Sequence, residues 1–347
     1  MDKKKINIKF VDFWSGFVDQ DNFIYKTLSK KYEVIISDSP DYLFYSTFGY
    51  EYLKYDCIRI FFTGENIRPD FNLCDYAIGF DYMQFEDRYL RYPQFMIDEY
   101  QREREIIKHK QVVDEVGEKK FCNFIYSNGD TNCPREDFFY LLSKYKQVDS
   151  GGRYLNNIAY RVEDKLAWQQ EYKFTIAFEN SYSSGYVTEK ILQAFAAGTI
   201  PIYWGAPNVM KDFNEKAFIN CNNYESFEEV VQKVIELDTD EQKYLSMLNE
   251  PVFTKLAEES YLQEDYLKEF LCHIMDQDVD HARRILRQHT WSRISEFRLS
   301  NHLKYIELLQ KVHRKNRLCR YILKKIMGTD GETVKNDIGN KLFERQI

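Results

Sequence analysis

One short segment carries most of the side chains that could do chemistry. Residues 174–190 read Phe-Thr-Ile-Ala-Phe-Glu-Asn-Ser-Tyr-Ser-Ser-Gly-Tyr-Val-Thr-Glu-Lys. An apolar run ends at Phe178, polar side chains follow, and a helix is predicted to begin within Gly185–Thr188. Free N–H groups at a helix start attract anions such as phosphate. Lys190 lies in that first turn, where a cation opposes the helix dipole, so its position makes more sense with an anion nearby. Glu189 beside it could accept hydrogen bonds from ribose hydroxyls.

The same two charged residues have a simpler interpretation. Taken alone, Glu189 and Lys190 would be assigned to a solvated helix start with an ordinary glutamate–lysine pair. Their position just beyond an apolar strand favours ligand binding, because ligands of doubly wound sheets lie outside the carboxyl ends of the strands.

Strands must position this segment, and the chain contains two series of them. Alternation with helical and loop connections predicts an α/β fold with parallel, doubly wound sheets. The strands of the first half are predicted at Ile6–Phe13, Glu33–Ser37, Tyr42–Tyr45, Cys57–Phe62 and Tyr76–Gly79. Those of the second half are predicted at Phe121–Tyr126, Phe174–Phe178, Ile200–Trp204 and Ala217–Asn220.

Helical patterns separate the strands and suggest domain limits. A length of 347 residues exceeds the size at which one core usually stops growing, so two domains are expected. Helices are predicted at Asn22–Lys31, from near Pro134, and at Val162–Gln170, Val187–Ala197 and Phe227–Leu237. The expected parts are an N-terminal domain (1–105), a linker helix (106–119, within the charged stretch Tyr100–Glu118), a second domain (120–280) and a basic helical tail (281–347).

Composition excludes several classes of protein. A net charge of −7 argues against general nucleic-acid binding. The seven cysteines are odd in number, scattered and free of Cys-x-x-Cys pairs, which favours reduced thiols over disulfides or a zinc site. No apolar run has the length of a signal peptide or membrane span, so we expect a cytoplasmic protein.

The C-terminal stretch departs from the acidic average. Residues 283–325 carry 13 Lys and Arg against two acidic residues, Glu296 and Glu307. Apolar residues recur among the basic ones at helical spacing, for example Leu318, Tyr321 and Ile322. Such a basic amphipathic helix is typical of attachment to an anionic membrane surface. A solvated helix packed on its own protein is the alternative.

Further motifs extend the pattern around residues 174–190 to most of the chain. The combination of Phe-Glu-Asn-Ser, a spacer and Tyr-Val-Thr-Glu-Lys resembles the signature of family 10 α-1,3/4-fucosyltransferases, in particular the bacterial members. Resemblance covers roughly residues 57–240. The other motifs that carry it are Arg59–Asn66 (Arg-Ile-Phe-Phe-Thr-Gly-Glu-Asn), Asn72–Asp81, Asp87–Arg91, Phe121–Asn128 and Asp149–Arg153.

The resemblance implies a fold, a donor substrate and functional residues. The implied fold is GT-B, two Rossmann-like domains facing a cleft, with the acceptor on the N-terminal domain and GDP-fucose on the second. Glu65 matches the proposed general base, Lys190 a diphosphate contact and Glu189 a ribose contact. The matching donor-contacting residues are Arg135, Asn180, Tyr186, Glu189, Lys190 and, with a looser match, Ser127 and Asn128.

Inverting transfer of a sugar requires a base for the acceptor hydroxyl and positive charge for the departing diphosphate. All six histidines lie outside the segments that carry the resemblance, so a carboxylate base is expected. Glu65 follows an apolar strand and should project into the interdomain cleft; a carboxylate capping a local turn is the alternative. The implied acceptor is a glycan containing N-acetylglucosamine or glucose, such as N-acetyllactosamine. A lipid-linked form of this glycan is one alternative.

Other functions remain open at this point. Four Asp-x-Asp triplets occur, but if Lys190, Arg135 and a helix start neutralise the diphosphate, no metal ion or other cofactor is required. A related enzyme could use another GDP- or UDP-sugar, and a non-catalytic carbohydrate-binding protein could share the fold. Nucleic-acid binding through the tail is poorly supported, because the tail lacks a recognised binding motif.

Overall fold

The computed structural model describes residues 3–129, 133–285 and 291–315. Residues up to Ile285 form one compact unit, and the chain from Leu286 forms a second. Within the first unit, the described residues build two parallel β-sheets, one from each half of the chain. The alternation of strands and helices seen in the sequence is therefore confirmed as two α/β layers.

The first sheet has six strands in the order β2-β1-β3-β4-β5-β6. Its central strands are buried along their whole length and, apart from Arg59, are mostly apolar, as parallel strands usually are. The strands are β1 (Lys5–Val11), β2 (Glu33–Ile36), β3 (Tyr42–Tyr45), β4 (Ile58–Phe62), β5 (Tyr76–Gly79) and β6 (Tyr89–Arg91).

The second sheet has five strands in the order β11-β10-β9-β7-β8. The chain winds one way from β7 to β8 and the other way from β9 to β11. Neighbouring loops therefore diverge between β7 and β9, which is where doubly wound sheets bind ligands. The strands are β7 (Lys120–Phe124), β8 (Val148–Ser150), β9 (Tyr172–Phe178), β10 (Ile200–Trp204) and β11 (Ile219–Asn220).

Helices cover the sheets, and several of them begin at a side chain that caps the helix. Asn22, Asp164 and Ser226 each accept a hydrogen bond from a backbone N–H of the helix that follows. The helices are α1 (Phe23–Ser29), α2 (Gln101–Lys108), α3 (Arg135–Ser143), α4 (Lys165–Gln169), α5 (Glu189–Ala196), α6 (Phe227–Thr239), α7 (Glu241–Leu248), α8 (Lys255–Glu259), α9 (Tyr266–Asp276), α10 (Val279–Ala282) and α11 (Trp291–Lys315).

A buried ion pair joins the two halves of the first unit. Arg91 Nη2 at the end of β6 donates to Asp212, beyond β10, at 2.8 Å, and both side chains are buried. The hydroxyls of Tyr82 and Tyr261 donate to the same carboxylate. Removing one partner of such a pair leaves an uncompensated buried charge, so the pair favours a single arrangement of the two sheets.

The linker between the sheets differs from the prediction. The helix expected over 106–119 ends at Lys108, and the chain to β7 is not helical. Asn249 pairs with both backbone groups of Val113, and Lys110 Nζ donates to the carbonyl of Leu248. These contacts hold the segment in an irregular conformation that includes Gly117 at φ +64°.

Two short strands, β6 and β8, were not predicted, since three residues of mixed polarity give little periodicity. The free-thiol prediction agrees with the structure, because no disulfide joins the six described cysteines.

The second unit is described over α11 alone, a helix of 25 residues. Leu318, Tyr321 and Ile322 of the predicted amphipathic tail helix lie outside the described residues. Across the described ranges, no helix combines the length and the apolar character needed to cross a membrane.

Candidate active site

The loop after β9 begins with a wholly buried glutamate. Glu179 accepts hydrogen bonds from the backbone N–H and the hydroxyl of Thr188, both at 2.7 Å, and from Lys190 Nζ at 3.1 Å. Burial raises the pKa of the Glu179 carboxyl, and the neighbouring Lys190 opposes that shift. Because its donors come from the residues that open α5, Glu179 fixes the start of that helix.

Lys190 is held by several acceptors. Its ammonium also contacts Thr188 Oγ1 at 2.9 Å and Glu189 Oε1 at 3.7 Å. Burial lowers the pKa of Lys190, but Glu179 and Glu189 outweigh burial and raise it above the ordinary value, so the ammonium stays charged. Part of its charge is already balanced by these two carboxylates. The pair with Glu189 was one interpretation of the sequence, whereas the pair with Glu179 was not predicted.

Glu189 is the first residue of α5, and its side chain is only 19% exposed. Burial acts to raise the pKa of its carboxyl, whereas Lys190 and Lys165 together bring it below the ordinary value. Lys165, at the start of α4, donates to Gln193 at 2.6 Å. The charges of these two ammonium groups therefore keep Glu189 ionised at the helix start.

Arg135 opens α3 and reaches across to the loop after β9. Its Nη2 donates to Asn180 Oδ1 at 2.8 Å, and its guanidinium lies 4.4 Å from the centre of the Tyr126 ring. Tyr126 in turn accepts from the Phe178 N–H at 2.7 Å. Stacking and hydrogen bonding thus fix the guanidinium at the carboxyl ends of β7 and β9.

Tyr186 packs where the loop after β9 meets the first sheet. Its ring lies 5.3 Å from that of Phe80 in an edge-to-face arrangement. Burial raises the pKa of its hydroxyl, and the negative charges of Glu179, Glu65 and Glu189 raise it further. Tyr186 therefore lies close enough to both the predicted base and the start of α5 to be influenced by their charges.

Gly185 allows this close approach of the two halves. It adopts φ +75°, and a Cβ at this position would lie 2.9 Å from the Phe80 carbonyl oxygen. Both the backbone conformation and the contact therefore favour glycine.

Glu65 lies in the loop after β4, and it is exposed. The Thr63 hydroxyl bonds both the N–H and the carbonyl of Glu65, each at 3.0 Å, which shapes a tight turn. The next residue, Asn66, donates to Ser181 Oγ at 2.8 Å. Since Ser181 belongs to the loop after β9, this bond joins the carboxyl ends of the two sheets at the predicted base.

The remaining predicted residues lie at the edge of the same region. Ser127 and Asn128 are exposed in the loop after β7, beside the strand that leads to Glu179. The structure thus brings Arg135, Asn180, Tyr186, Glu189 and Lys190 around the start of α5. The loop that carries Glu65 is joined to this group through the Asn66–Ser181 contact, whereas Ser127 and Asn128 border it.

No metal-binding cluster accompanies these groups. In residues 3–129, 133–285 and 291–315, no three His, Cys, Asp or Glu side chains are placed to hold a metal ion. Asp238 of one Asp-x-Asp triplet bonds Lys173 and Lys146, and Asp240 caps α7. Metal-independent chemistry stays a prediction.

Three residues that contribute to the candidate site were not predicted from the sequence: Glu179, Thr188 and Lys165. A signal for the first was present, because a glutamate directly after an uninterrupted apolar strand must find buried donors. Lys165 gave no such signal, since its role depends on where α4 packs.

Comparison with known proteins places most of the chain in one family. The model for the N-terminal domain of the α-(1,3)-fucosyltransferase FucT matches residues 8–98. The model for the C-terminal part of glycosyltransferase family 10 (fucosyltransferase) matches residues 116–297, just over half of the chain.

Individual relatives agree with these matches. The α-(1,3)-fucosyltransferase FucT of Helicobacter pylori is 34% identical over 286 residues, which is 71% of this chain and 59% of that protein. The α-(1,3)-fucosyltransferase B of Drosophila melanogaster is 34% identical over 139 residues, 35% of this chain and 31% of that protein. The chain thus spans less than two thirds of the length of these relatives.

A solved structure supports the predicted architecture. The crystal structure of an α1,3-fucosyltransferase with GDP-fucose superimposes with a TM-score of 0.67 at 29% identity, over 80% of this chain and 91% of that one. A second structure, of an α1,3-fucosyltransferase with GDP, gives the same TM-score. The prediction of a GT-B-type α/β fold is confirmed.

Proposed function

This chain belongs to glycosyltransferase family 10, the fucosyltransferases, and from that membership we propose that it transfers fucose from GDP-fucose to a glycan hydroxyl. The observation that carries the proposal is the Asn66–Ser181 contact, which joins the Glu65 loop to the loop that leads into α5. A structural relative solved with GDP-fucose supports the choice of donor.

The proposed reaction is a direct displacement. The acceptor oxygen attacks the anomeric carbon of fucose, and Glu65 takes the proton from that oxygen. The bond from the anomeric carbon to the diphosphate oxygen breaks, and GDP leaves with the electron pair. Configuration at the anomeric carbon is inverted, because attack and departure occur on opposite faces. An exposed carboxylate at the edge of the cleft can exchange its proton with water after each turnover.

The diphosphate is proposed to lie against Arg135 and the outward side of Lys190. Both cations are held in place by neighbouring groups, so little reorganisation is needed when charge develops on the leaving group. Glu179 orients Lys190 from beneath, and Glu189 is left to accept hydrogen bonds from the ribose hydroxyls. Asn180, Tyr186 and, at the border, Ser127 and Asn128 complete the proposed donor contacts, and no metal ion is invoked.

The acceptor is proposed to be an N-acetyllactosamine-like glycan, modified at O3 or O4 of its N-acetylglucosamine or glucose unit. Product NMR after incubation of GDP-fucose with N-acetyllactosamine and with its type 1 isomer tests the activity, linkage and stereochemistry together. An α-linked fucose on either isomer is expected. Absence of GDP release with every glycan would favour the second candidate, a non-catalytic carbohydrate-binding protein.

An alternative that differs less from this proposal is a related glycosyltransferase that uses another nucleotide sugar. Thermal shift with GDP, UDP and ADP separates the two, because a ligand that binds only the folded state raises the melting temperature. Stabilisation by GDP alone is expected. Stabilisation by UDP and not by GDP would replace the proposed donor.

We also propose that the basic tail attaches the protein to the inner face of the plasma membrane. Within α11, Ile294, Phe297, Tyr305 and Leu308 are exposed among basic residues. Apolar contact combined with basic charge is what interfacial helices use. Full-length protein should co-sediment with anionic liposomes, and a variant ending at residue 285, the last residue of the first unit, should not. Equal sedimentation of the two would refute attachment through the tail.

A further inference from the structure

The carboxyl ends of β1 and β3 carry a group of aromatic side chains that the proposed reaction does not use. Phe13, Trp14 and Phe17 lie in the loop after β1, and each is partly exposed. Phe48 and Tyr50 lie in the loop after β3 and are 53% and 39% exposed. Exposed apolar side chains that gather at one place on a soluble domain mark an interaction site.

This aromatic group adjoins the strand that leads to Glu65. The Trp14 ring lies 6.4 Å from the ring of Phe62, the last residue of β4, and 5.1 Å from that of Phe17. In the sheet, β3 lies between β1 and β4. Neighbouring strands are about 4.8 Å apart, so both aromatic loops follow strands within about 10 Å of the one that precedes Glu65. A sugar linked to one whose hydroxyl is bonded to Glu65 would reach these loops.

Asp12 holds the loop after β3 in one conformation. Its carbonyl accepts from the Phe48 N–H at 3.0 Å. Its carboxylate accepts from the N–H groups of Glu51 and Tyr52, each at 2.9 Å. Asp12 itself adopts φ +60°, and a Cβ at Gly49 would clash with its carboxylate. Backbone strain of this kind is concentrated at functional sites, so the turn that presents the exposed Phe48 ring is a candidate for one.

We propose that Trp14 and Phe48 form a platform for the acceptor sugar that is linked to the fucosylated one. This inference rests on the proposed function, because it takes Glu65 as the group that bonds the acceptor hydroxyl. The C–H groups on one face of a pyranose ring carry partial positive charge, which the negative face of an aromatic ring attracts. In N-acetyllactosamine and in its type 1 isomer, the sugar on the platform is galactose.

Kinetics with two acceptors test the platform. The disaccharide N-acetyllactosamine would reach it, whereas the monosaccharide N-acetylglucosamine would not. In Phe48→Ala, the KM for the disaccharide should rise roughly 3- to 10-fold at unchanged kcat, because a stacking contact is lost. The KM for the monosaccharide should stay within roughly twofold of the wild-type value. The matched control is Tyr140→Ala, an exposed aromatic residue on α3, which should keep both KM values.

Saturation-transfer NMR tests the contact without turnover and needs no variant. In a mixture of the wild-type chain, GDP and N-acetyllactosamine, the ring protons of galactose should receive saturation at least as strongly as those of N-acetylglucosamine. In Phe48→Ala, the galactose signals should weaken and those of N-acetylglucosamine should persist. Because Phe48 is exposed, its replacement removes little of the core.

The two experiments separate the platform from the proposed function. Saturation confined to N-acetylglucosamine, or no saturation at all, would overturn the platform. Unchanged KM values in Phe48→Ala would also overturn it, as would an equal rise for both acceptors, which would place the ring at the reacting sugar. Galactose contact in a wild-type chain that transfers no fucose would support the platform and refute the proposed function. Transfer of fucose without galactose contact would do the reverse.

Discussion

Two glutamates follow buried parallel strands of this molecule, and they have opposite surroundings. Glu65, after β4, is exposed in a tight turn. Glu179, after β9, is fully buried and accepts three hydrogen bonds from Thr188 and Lys190. Both stand in short motifs with asparagine next to them. A shared position at a strand end therefore does not determine a shared role.

Burial explains the difference. A carboxylate that must gain and lose a proton in each turnover needs access to water, and the exposed position of Glu65 provides it. A buried carboxylate surrounded by donors is held in one place, so Glu179 is suited to position Lys190 and the start of α5. We therefore propose that the exposed Glu65 acts as the base and that the buried Glu179 positions Lys190 and the start of α5.

The largest expected effect is the loss of turnover in Glu65→Gln. Removal of a general base should lower kcat by roughly 10²- to 10⁴-fold, while the melting temperature and the Kd for GDP-fucose stay unchanged. Transfer kinetics measure kcat, and calorimetry measures the melting temperature and the Kd for GDP-fucose. The matched control is Glu86→Gln, another exposed glutamate of the first half, which should keep wild-type kcat.

For Glu179→Gln, the main expected effect is a loss of stability. Lys190 would lose its nearest carboxylate and keep Glu189, so the free energy of unfolding should fall by about 3 kcal/mol. Urea denaturation measures this, with Glu171→Gln, which removes an exposed ion pair to Lys120, as the control. If Glu179→Gln left stability unchanged, the organising role would be wrong.

A double-mutant cycle separates stability from donor binding at Lys190. Lys190→Met leaves Glu179 as an unpaired buried charge, and adding Glu179→Gln should restore part of the lost stability, by roughly 1–3 kcal/mol. The Kd for GDP should stay raised in the double variant by roughly 10- to 100-fold, because a hydrogen bond to a charged phosphate is still missing. Donor affinity that recovers together with stability would exclude Lys190 as a diphosphate contact.

The smallest effect concerns a third carboxylate, held by partly exposed partners. Hydrogen bonds from Arg284, and then from His273, lower the pKa of Asp87 from 3.8 to about 2. A lowered pKa contributes stability above pH 3.8 that is lost as the pH falls toward about 2. Solvent screening limits this contribution to about 1 kcal/mol. Urea denaturation between pH 5 and roughly pH 2 should therefore show a shallower acid decline for Asp87→Asn than for the wild type; equal slopes would contradict the assignment.

The sequence predicted the sheets better than the connections. Apolar runs such as β3 and β10 were identified because burial on both faces requires a continuous apolar sequence. The linker was predicted as a helix and is not one, because contacts from Asn249 and Lys110 determine its shape. Those contacts join residues more than 130 positions apart, which no local pattern can show.

The site could be predicted as a set of residues but not as a network. Motifs led to the prediction of Glu65, Arg135 and Lys190, whose roles stay predictions, whereas the partners of Lys190 became evident only from packing. Lys165 could not have been identified, because it lies on a separate short helix and meets Gln193 of α5 only through the fold. The sequence did not determine which distant side chains pair with one another in the fold. These pairings decide which charged groups are buried and how their charges are balanced.

The most direct test of the central assignment is a crystal structure of the chain with GDP and a bound acceptor glycan. The account predicts the diphosphate against Arg135 and Lys190, and the Glu65 carboxylate within hydrogen-bond distance of the acceptor hydroxyl on the opposite side of the cleft. An acceptor hydroxyl bonded to another side chain, with Glu65 turned away into solvent, would contradict it.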